Sequence, residues 1–447
     1  MIRLRPSGVD ELLIKRVRDW YEPGPGVFIT SMTGASFSPA MLFTGSTTGV
    51  WYDPSDFTTL FQDAAGTTPV TAVEQPVGLM KDKSGRNNHA FNSSGNSANF
   101  PVLSARYNLL TKTEDFGDWT LSSTSIASQS IAGFAKSLQF GDNSVLRVGY
   151  GFAAMSSGVS YTITAYVEMD DGLAPVVGTS TSTGDFALVS DASLHTASAT
   201  VERIGTSNVY KVSSSRTSGT TGNRACGIYK YTTQSARTFR ATGFDVRVSN
   251  DAINQPAYQR VNTSTDYDTV GFKPYLRFNG TNQWLQTNSI DFTYGDKMFV
   301  SAGVRYQNLA VTSVAAELST SLSANNGTFI IYGENTSTAN FASKGTSSSG
   351  FISSTSLSAP ITIVQSGLGN ISGNQAILRV NGAQAAISSA SQGSGTYGNY
   401  PLYIGARAGS SLWFNGRIYQ LVVAGKQASA SEITSTETYL NQKTGAF

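Results

Sequence analysis

Along most of the chain, apolar and polar residues alternate with a period of two. Met298, Val300, Ala302, Val304 and Tyr306 interleave with Phe299, Ser301, Gly303 and Arg305. Tyr161, Ile163, Ala165, Val167 and Met169 do so with Thr162, Thr164, Tyr166 and Glu168, and Phe244, Val246 and Val248 with Asp245 and Arg247. The pattern predicts strands with one face on a core and the other near water. Ala376, Leu378 and Val380 run into Asn381-Gly382, a pair suited to the positive φ angles of a tight hairpin. Ile418 to Val423 is nearly continuous and predicts a strand covered on both faces. Helical periodicity is confined to the ends. Val9, Leu12, Leu13, Val17 and Trp20 share one face of a helix that Ser7 can cap and Pro23-Gly-Pro-Gly26 stops. A helix of about 12 residues is marginal alone, so this stripe needs a surface, from the chain's own body or from another subunit. At the other end Ser429-Ala-Ser-Glu432 has the capping-box form, and Ile433, Thr436, Glu437 and Leu440 lead to Lys443, with Gly445 as the stop. Short strands between Gly/Ser/Asn turns predict an all-β protein of jelly-roll β-sandwiches.

With 447 residues there is room for about three domains of roughly 150 residues. Charge is sparse: 31 Lys+Arg against 29 Asp+Glu, 13% of residues, where an ordinary globular protein has about 25%. Between Gln307 and Tyr400 the charged residues are Glu317, Glu334, Lys344 and Arg379. This argues against nucleic acid as a partner, because no surface for neutralising phosphates can form there. One cysteine, Cys226, excludes an intrachain disulfide framework, and two histidines, His89 and His195, leave little for metal or acid–base chemistry. No apolar run reaches the ~20 residues needed to span a bilayer, and no signal-type stretch follows Met1-Ile-Arg-Leu-Arg5. Asn-x-Ser/Thr triplets such as Asn92, Asn262 and Asn326 then read as loop composition.

Two stretches carry a family resemblance. The first is Gly49-Val-Trp-Tyr-Asp-Pro-Ser-Asp56 followed by Asp82-Lys-Ser-Gly-Arg-Asn-Asn-His-Ala90; the second is Tyr275-Leu-Arg-Phe-Asn-Gly280, Leu378-Arg-Val-Asn-Gly382, Leu402-Tyr-Ile-Gly405 and Phe414-Asn-Gly-Arg-Ile-Tyr-Gln-Leu421. Together they resemble a concanavalin A-like, laminin-G-type jelly roll, with Asn279 where an Asp is usual. In that family the two sets lie close in sequence, whereas here about 170 residues separate them. Tyr107 to Phe116 with Trp119, and Phe239 to Val248, are similar to a carbohydrate-binding-module-like sandwich. The resemblance implies a discontinuous jelly roll, 45–106 plus 270–447, interrupted by a sandwich at 107–258 with a return linker at 259–269, after an N-terminal segment 1–44. Three consecutive modules are the alternative. The whole arrangement, and most specifically the phrase Leu60-Phe-Gln-Asp-Ala-Ala-Gly-Thr-Thr-Pro-Val-Thr-Ala-Val73 with Gly78-Leu-Met80, resembles proteins of tailed bacteriophages and prophages. That implies a virion structural protein, made in the bacterial cytoplasm and displayed on the tail as a fibre or receptor-binding component. Host adhesion through glycan, homo-oligomerisation, and anchoring on other virion proteins through Val9, Leu12, Leu13, Val17 and Trp20 follow as expectations. A capsid decoration protein and a polysaccharide depolymerase are the alternatives.

Candidate chemistry is thin. His89 lies in a Gly/Asn-rich turn, where its ring is expected to tie the loop to the next strand. His195 has no acidic neighbour in sequence and is expected at the surface. No Gly-x-Ser-x-Gly elbow occurs, and no Glu-x-Asp-x-x-Glu run of the jelly-roll glucanases. Asp53, Asp56, Asp63 and Asp82 could supply calcium ligands, although turn-forming Asp explains them equally well. No cofactor, metal or catalytic residue is therefore expected, and the reading is non-enzymatic. Sugar binding calls for aromatics beside hydrogen-bonding loop groups. Arg407, Ser410, Ser411 and Trp413 offer these on one turn, and Tyr397 and Tyr400 form a second loop expected to be exposed.

Overall fold

The computed structural model describes residues 37–251, 255–347 and 351–447. The N-terminal helix and its candidate anchoring residues Val9, Leu12, Leu13, Val17 and Trp20 lie outside the described residues. Among the described residues the fold is all-β apart from three short 3-10 helices and one C-terminal α-helix.

Among the described residues four sheets form two sandwiches. One eight-stranded sheet runs in the order Ala383–Ser388, Gln375–Val380, Ile361–Asn370, Lys297–Tyr306, Asn415–Ala424, Tyr275–Asn279 and Val102–Ser104. Gly49–Tyr52 completes it: this strand pairs with the second half of Asn415–Ala424 while Tyr275–Asn279 pairs with the first half. A nine-stranded sheet faces it, starting with Leu60–Phe61, Leu79–Met80 and Ala90–Phe91 and continuing through Leu285–Asp291 and Asn399–Ile404 to Phe351–Ser356. Val50, Tyr52, Met80 and Leu103 share one core with Leu276, Val300, Leu378 and Val423. Between Ser104 and Tyr275 the chain builds the other sandwich. Its six-stranded sheet centres on Ser160–Met169 and Phe239–Val248, and its five-stranded sheet on Arg147–Met155 and Gly222–Lys230. Its core joins Trp119, Ile163, Val167, Ile228 and Phe244.

Local patterns act as their physics requires. Ser160–Met169 alternates strictly between buried and half-buried residues. Asn381 and Gly382 take φ of 51° and 79° between the paired Val380 and Ala383, giving the primed turn that matches strand twist. Lys297–Tyr306 departs from the expected wet face. Phe299 and Ser301 are buried as well, because the C-terminal helix Ala430–Thr444 lies over that side; a Cβ at Gly303 would sit 2.7 Å from the Thr444 methyl. Arg305, on the same side, is buried at the junction with the other sandwich, 3.6 Å from Asp251. Ser429 caps this helix, its side chain accepting from the Glu432 N–H while Glu432 accepts from the Ser429 N–H at 2.8 Å, and Gly445 ends it at φ 60°. Ser429→Ala is expected to cost about 1 kcal/mol, read as a small drop in thermal midpoint. The helix is also held by the Arg379–Glu437 pair at 2.8 and 2.9 Å and by Trp51 against Tyr439. Residues 38–44 pack on this body too, with Leu42 and Phe43 buried and Arg86 donating to the carbonyls of Phe43 and Gly45.

The junction between the sandwiches is built from buried polar groups. Gln259 accepts from the N–H groups of Tyr107 and Asn108 and donates to the carbonyls of Ala105 and Asp268, so every hydrogen-bonding site of its amide is used. Asp251, in the turn that follows the central strand Phe239–Val248, lies 2.9 Å from Arg417 and 3.6 Å from Arg305 on the other sandwich. The Arg417 guanidinium also lies over the rings of Tyr107 and Tyr275. These contacts fix the geometry of the space beside them.

Candidate functional site

A cleft of about 590 Å³ opens where the two sandwiches meet, within the usual size range of small-ligand sites, roughly 300–1,000 Å³. One wall comes from the inserted sandwich. Trp119 packs against Phe116 and Phe244, and its indole N–H donates to the Thr111 carbonyl, which fixes the ring. Glycine at 151 makes room for it, since a Cβ there would come within 2.8 Å of the indole. Phe152, 46% exposed, and Asn223 stand beside it on paired strands. The opposite wall carries Arg277, Asn279, Gln307 and Asn415. Arg277 gives one N–H to Glu74 at 2.8 Å, and Asn279 spends its amide within its own turn on Thr281 and Asn282.

The side chains of Asp118, Asn223, Gln307 and Asn415 differ from these. Among the described residues none of the four has a hydrogen-bond partner, and all line the cleft. A fixed indole, an exposed phenyl ring and several free planar amides can grip a ligand with both an apolar face and a rim of hydroxyls. Sequence reasoning missed this cleft because its lining comes from segments far apart in the chain. One signal was present: in Arg147–Met155 the outward phase carries Tyr150 and Phe152, while the core phase is Gly149, Gly151, Ala153 and Met155.

Arg407, Ser410, Ser411 and Trp413 do share one turn, closed by Arg407–Ser411 backbone bonds, with Ala408 and Gly409 at φ 51° and 62°. The Arg407 charge is spent on Glu317, 2.8 Å away and fully buried; burial raises the Glu317 carboxyl against the pull of that guanidinium. Trp413 packs on the Trp284, Tyr403 and Ala406 cluster, Ser411 is half-buried, and Ser410 is exposed. Tyr397 corrects the expectation of an exposed loop. It is buried in the main core, its hydroxyl 2.6 Å from Ser343, because the loop folds inward against Phe329. Tyr400 is half-buried against the same core.

His195 also differs from its expected surface position. It is buried, with Nε2 2.7 Å from the Ser190 hydroxyl, since its short strand pairs inward against Ala187–Ser190. Its pKa is lowered to about 4, by burial first and by Arg216 second. His89 accepts from the Asp82 N–H and so ties its loop to the strand edge. Asp82 accepts from Trp51, Ser84 and Asn88, Asp53 from Ser55, Asp56 from Thr58 and Lys83, and Asp63 from Thr67 and Thr68. Each of these carboxylates is thus a turn-former. Burial pushes the Cys226 thiol up to about 12, the state of an inert core residue.

Residues 279–434 match the profile of a family described as the concanavalin A-like lectin/glucanases superfamily. Similar solved structures include the K499G mutant of NanB sialidase from Streptococcus pneumoniae, at 15% identity over 36% of this chain and 27% of that one, with a TM-score of 0.28. Another is the CBM40 of the Ruminococcus gnavus IT-sialidase bound to alpha2,3 sialyllactose, at 12% identity over 34% and 97%, with a TM-score of 0.27. A third is the heptameric SAP-like pentraxin from Limulus polyphemus, at 14% identity over 35% and 78%, with a TM-score of 0.29. The chain thus spans about a quarter of the sialidase. A comparison with curated proteins finds no match.

Proposed function

We propose that this protein binds glycan in the cleft between its sandwiches without cleaving it, as a displayed component of a bacteriophage virion. The observation that carries the binding reading is the set of free polar side chains, Asp118, Asn223, Gln307 and Asn415, set beside the Trp119 and Phe152 rings. The superfamily matched by residues 279–434, which takes in lectins and glucanases, supports it. Asp118 is the single carboxylate among the described residues lining the cleft. Glycoside hydrolysis generally needs two carboxyl groups facing each other across the sugar, so binding without turnover is favoured over a depolymerase. The virion setting rests on the resemblance of Leu60 to Val73 and of the domain arrangement to phage proteins. On a tail fibre, many copies of a weak site would add avidity for the host surface; a capsid decoration protein would display the same site elsewhere on the particle.

Binding of the full chain to an array of host capsule and lipopolysaccharide glycans tests the reading. Asn223→Ala and Gln307→Ala remove exposed side chains with no internal partners, and each is expected to weaken binding at least tenfold while the fold's stability is kept. Equal binding by both variants, or release of sugar products by the unaltered protein, would refute it. Immuno-gold imaging of virions carrying a tagged copy separates tail from capsid.

A further inference from the structure

Next to the cleft, the outward face of the five-stranded sheet carries a file of aromatic rings. Directly paired residues of antiparallel strands project to the same face. The register Val148↔Tyr229 and Tyr150↔Gly227 therefore sets Tyr229 on the side that Tyr150 and Phe152 occupy, while Cys226 and Ile228 point into the core. Successive ring centroids lie 5.5 Å apart from Phe152 to Tyr150, 5.8 Å from Tyr150 to Tyr229 and 6.0 Å from Tyr229 to Tyr231. The three tyrosines are half-buried, and among the described residues their hydroxyls have no hydrogen-bond partner. Beside them the outward positions Thr120, Ala225 and Gly227 are small and uncharged. Phe152 belongs both to the file and to the cleft, so the two are continuous.

We infer that this file extends the cleft into a track for successive units of an uncharged, linear glycan chain, an inference that rests on the glycan reading of the cleft. A pyranose offers a C–H face that stacks on a ring and a rim of hydroxyls that phenol hydroxyls can meet. The file supplies both, repeatedly, and the outward neighbours Thr120, Ala225 and Gly227 paired beside its rings carry no charge. The ring planes turn by 38° between Tyr150 and Tyr229 and by 51° between Tyr229 and Tyr231, so a chain that touches all of them has to twist along its length. A single sugar or disaccharide would occupy the cleft and gain nothing from Tyr229 or Tyr231.

The test is calorimetric titration of the full chain with dimers and hexamers of β-1,3-glucose, β-1,4-glucose, β-1,4-xylose and β-1,4-mannose. For at least one backbone the hexamer is expected to bind tenfold or more tightly than the dimer. The double variant Tyr229→Ala/Tyr231→Ala should bring that hexamer down to the dimer's affinity, and Phe152→Ser, at an exposed position, serves should the double variant melt early. The inference is overturned if no hexamer binds, if dimer and hexamer bind alike, or if the variants keep the length gain. Should it fall while array glycans still bind in a manner sensitive to Asn223→Ala and Gln307→Ala, the cleft reading stands. Loss of both signals removes both.

Discussion

Asp251→Ala is expected to destabilise the protein by about 3–5 kcal/mol, the cost of leaving buried cations without their counter-charge. Asp251 holds Arg417 at 2.9 Å and Arg305 at 3.6 Å, and Arg305 is 1% exposed. Thr362 is the other described partner of the Arg305 guanidinium, and its Nε has none. The pair joins the end of one sandwich to two strands of the other, so the loss has a second signature: a single urea transition should split into two as the sandwiches uncouple. Asp251→Asn keeps the shape and loses the charge, and should fall between the two. Burial alone would raise the Asp251 carboxyl, but Arg305, Arg417 and Arg247 together hold it below its ordinary value. A depressed carboxylate adds stability that is present above its unfolded pKa and lost as pH falls through the folded one. Acid should therefore loosen this junction. An unchanged urea midpoint in Asp251→Ala would show that the junction does not depend on the charge.

His195 predicts a different pH window. Its folded pKa of about 4 lies below the ordinary 6.5, and the ring is buried. Below pH 6.5 the unfolded chain binds a proton that the folded one refuses, so stability is whole above that value and declines as pH falls toward 4. The difference of about 2.5 units corresponds to a loss of about 3 kcal/mol at 1.36 kcal/mol per unit. The local charges are Arg216 and Asp191, which pair at 3.5 Å; Asp191, also held by Arg224, is itself kept well below the carboxylate range and titrates later. Stability measured from pH 7.5 to 4 in the native chain and in His195→Gln should diverge in slope across this window. Parallel curves would mean that the ring takes up its proton without unfolding.

Much of the fold was legible because short-range physics acts at fixed spacing. The alternation in Ser160–Met169, the primed turn at Asn381-Gly382 and the capping box at Ser429 each need neighbours only a few residues away. His195 and Tyr397 were misplaced because nothing within a few residues says which way they face. His195 is held inward against strand Ala187–Ser190 by Ser190, and Tyr397 by Phe329 and Ser343. The dry outer face of Lys297–Tyr306 likewise comes from a helix more than a hundred residues later and, at Arg305, from Asp251 of the other sandwich.

By itself, then, the sequence determined the strand-forming stretches, the one described α-helix and its ends, and the sparse, nearly neutral charge that leaves phosphate binding without support. The tertiary structure decided which strands meet, as when Lys443 reaches Ser55 from 388 positions away. It alone assembled Trp119, Asn223, Gln307 and Asn415 around one cleft. The physical reason is that alternation specifies which side of a strand is apolar, whereas the identity of the surface it buries depends on closing long loops. Their entropic cost is repaid only by contacts distributed over the whole core.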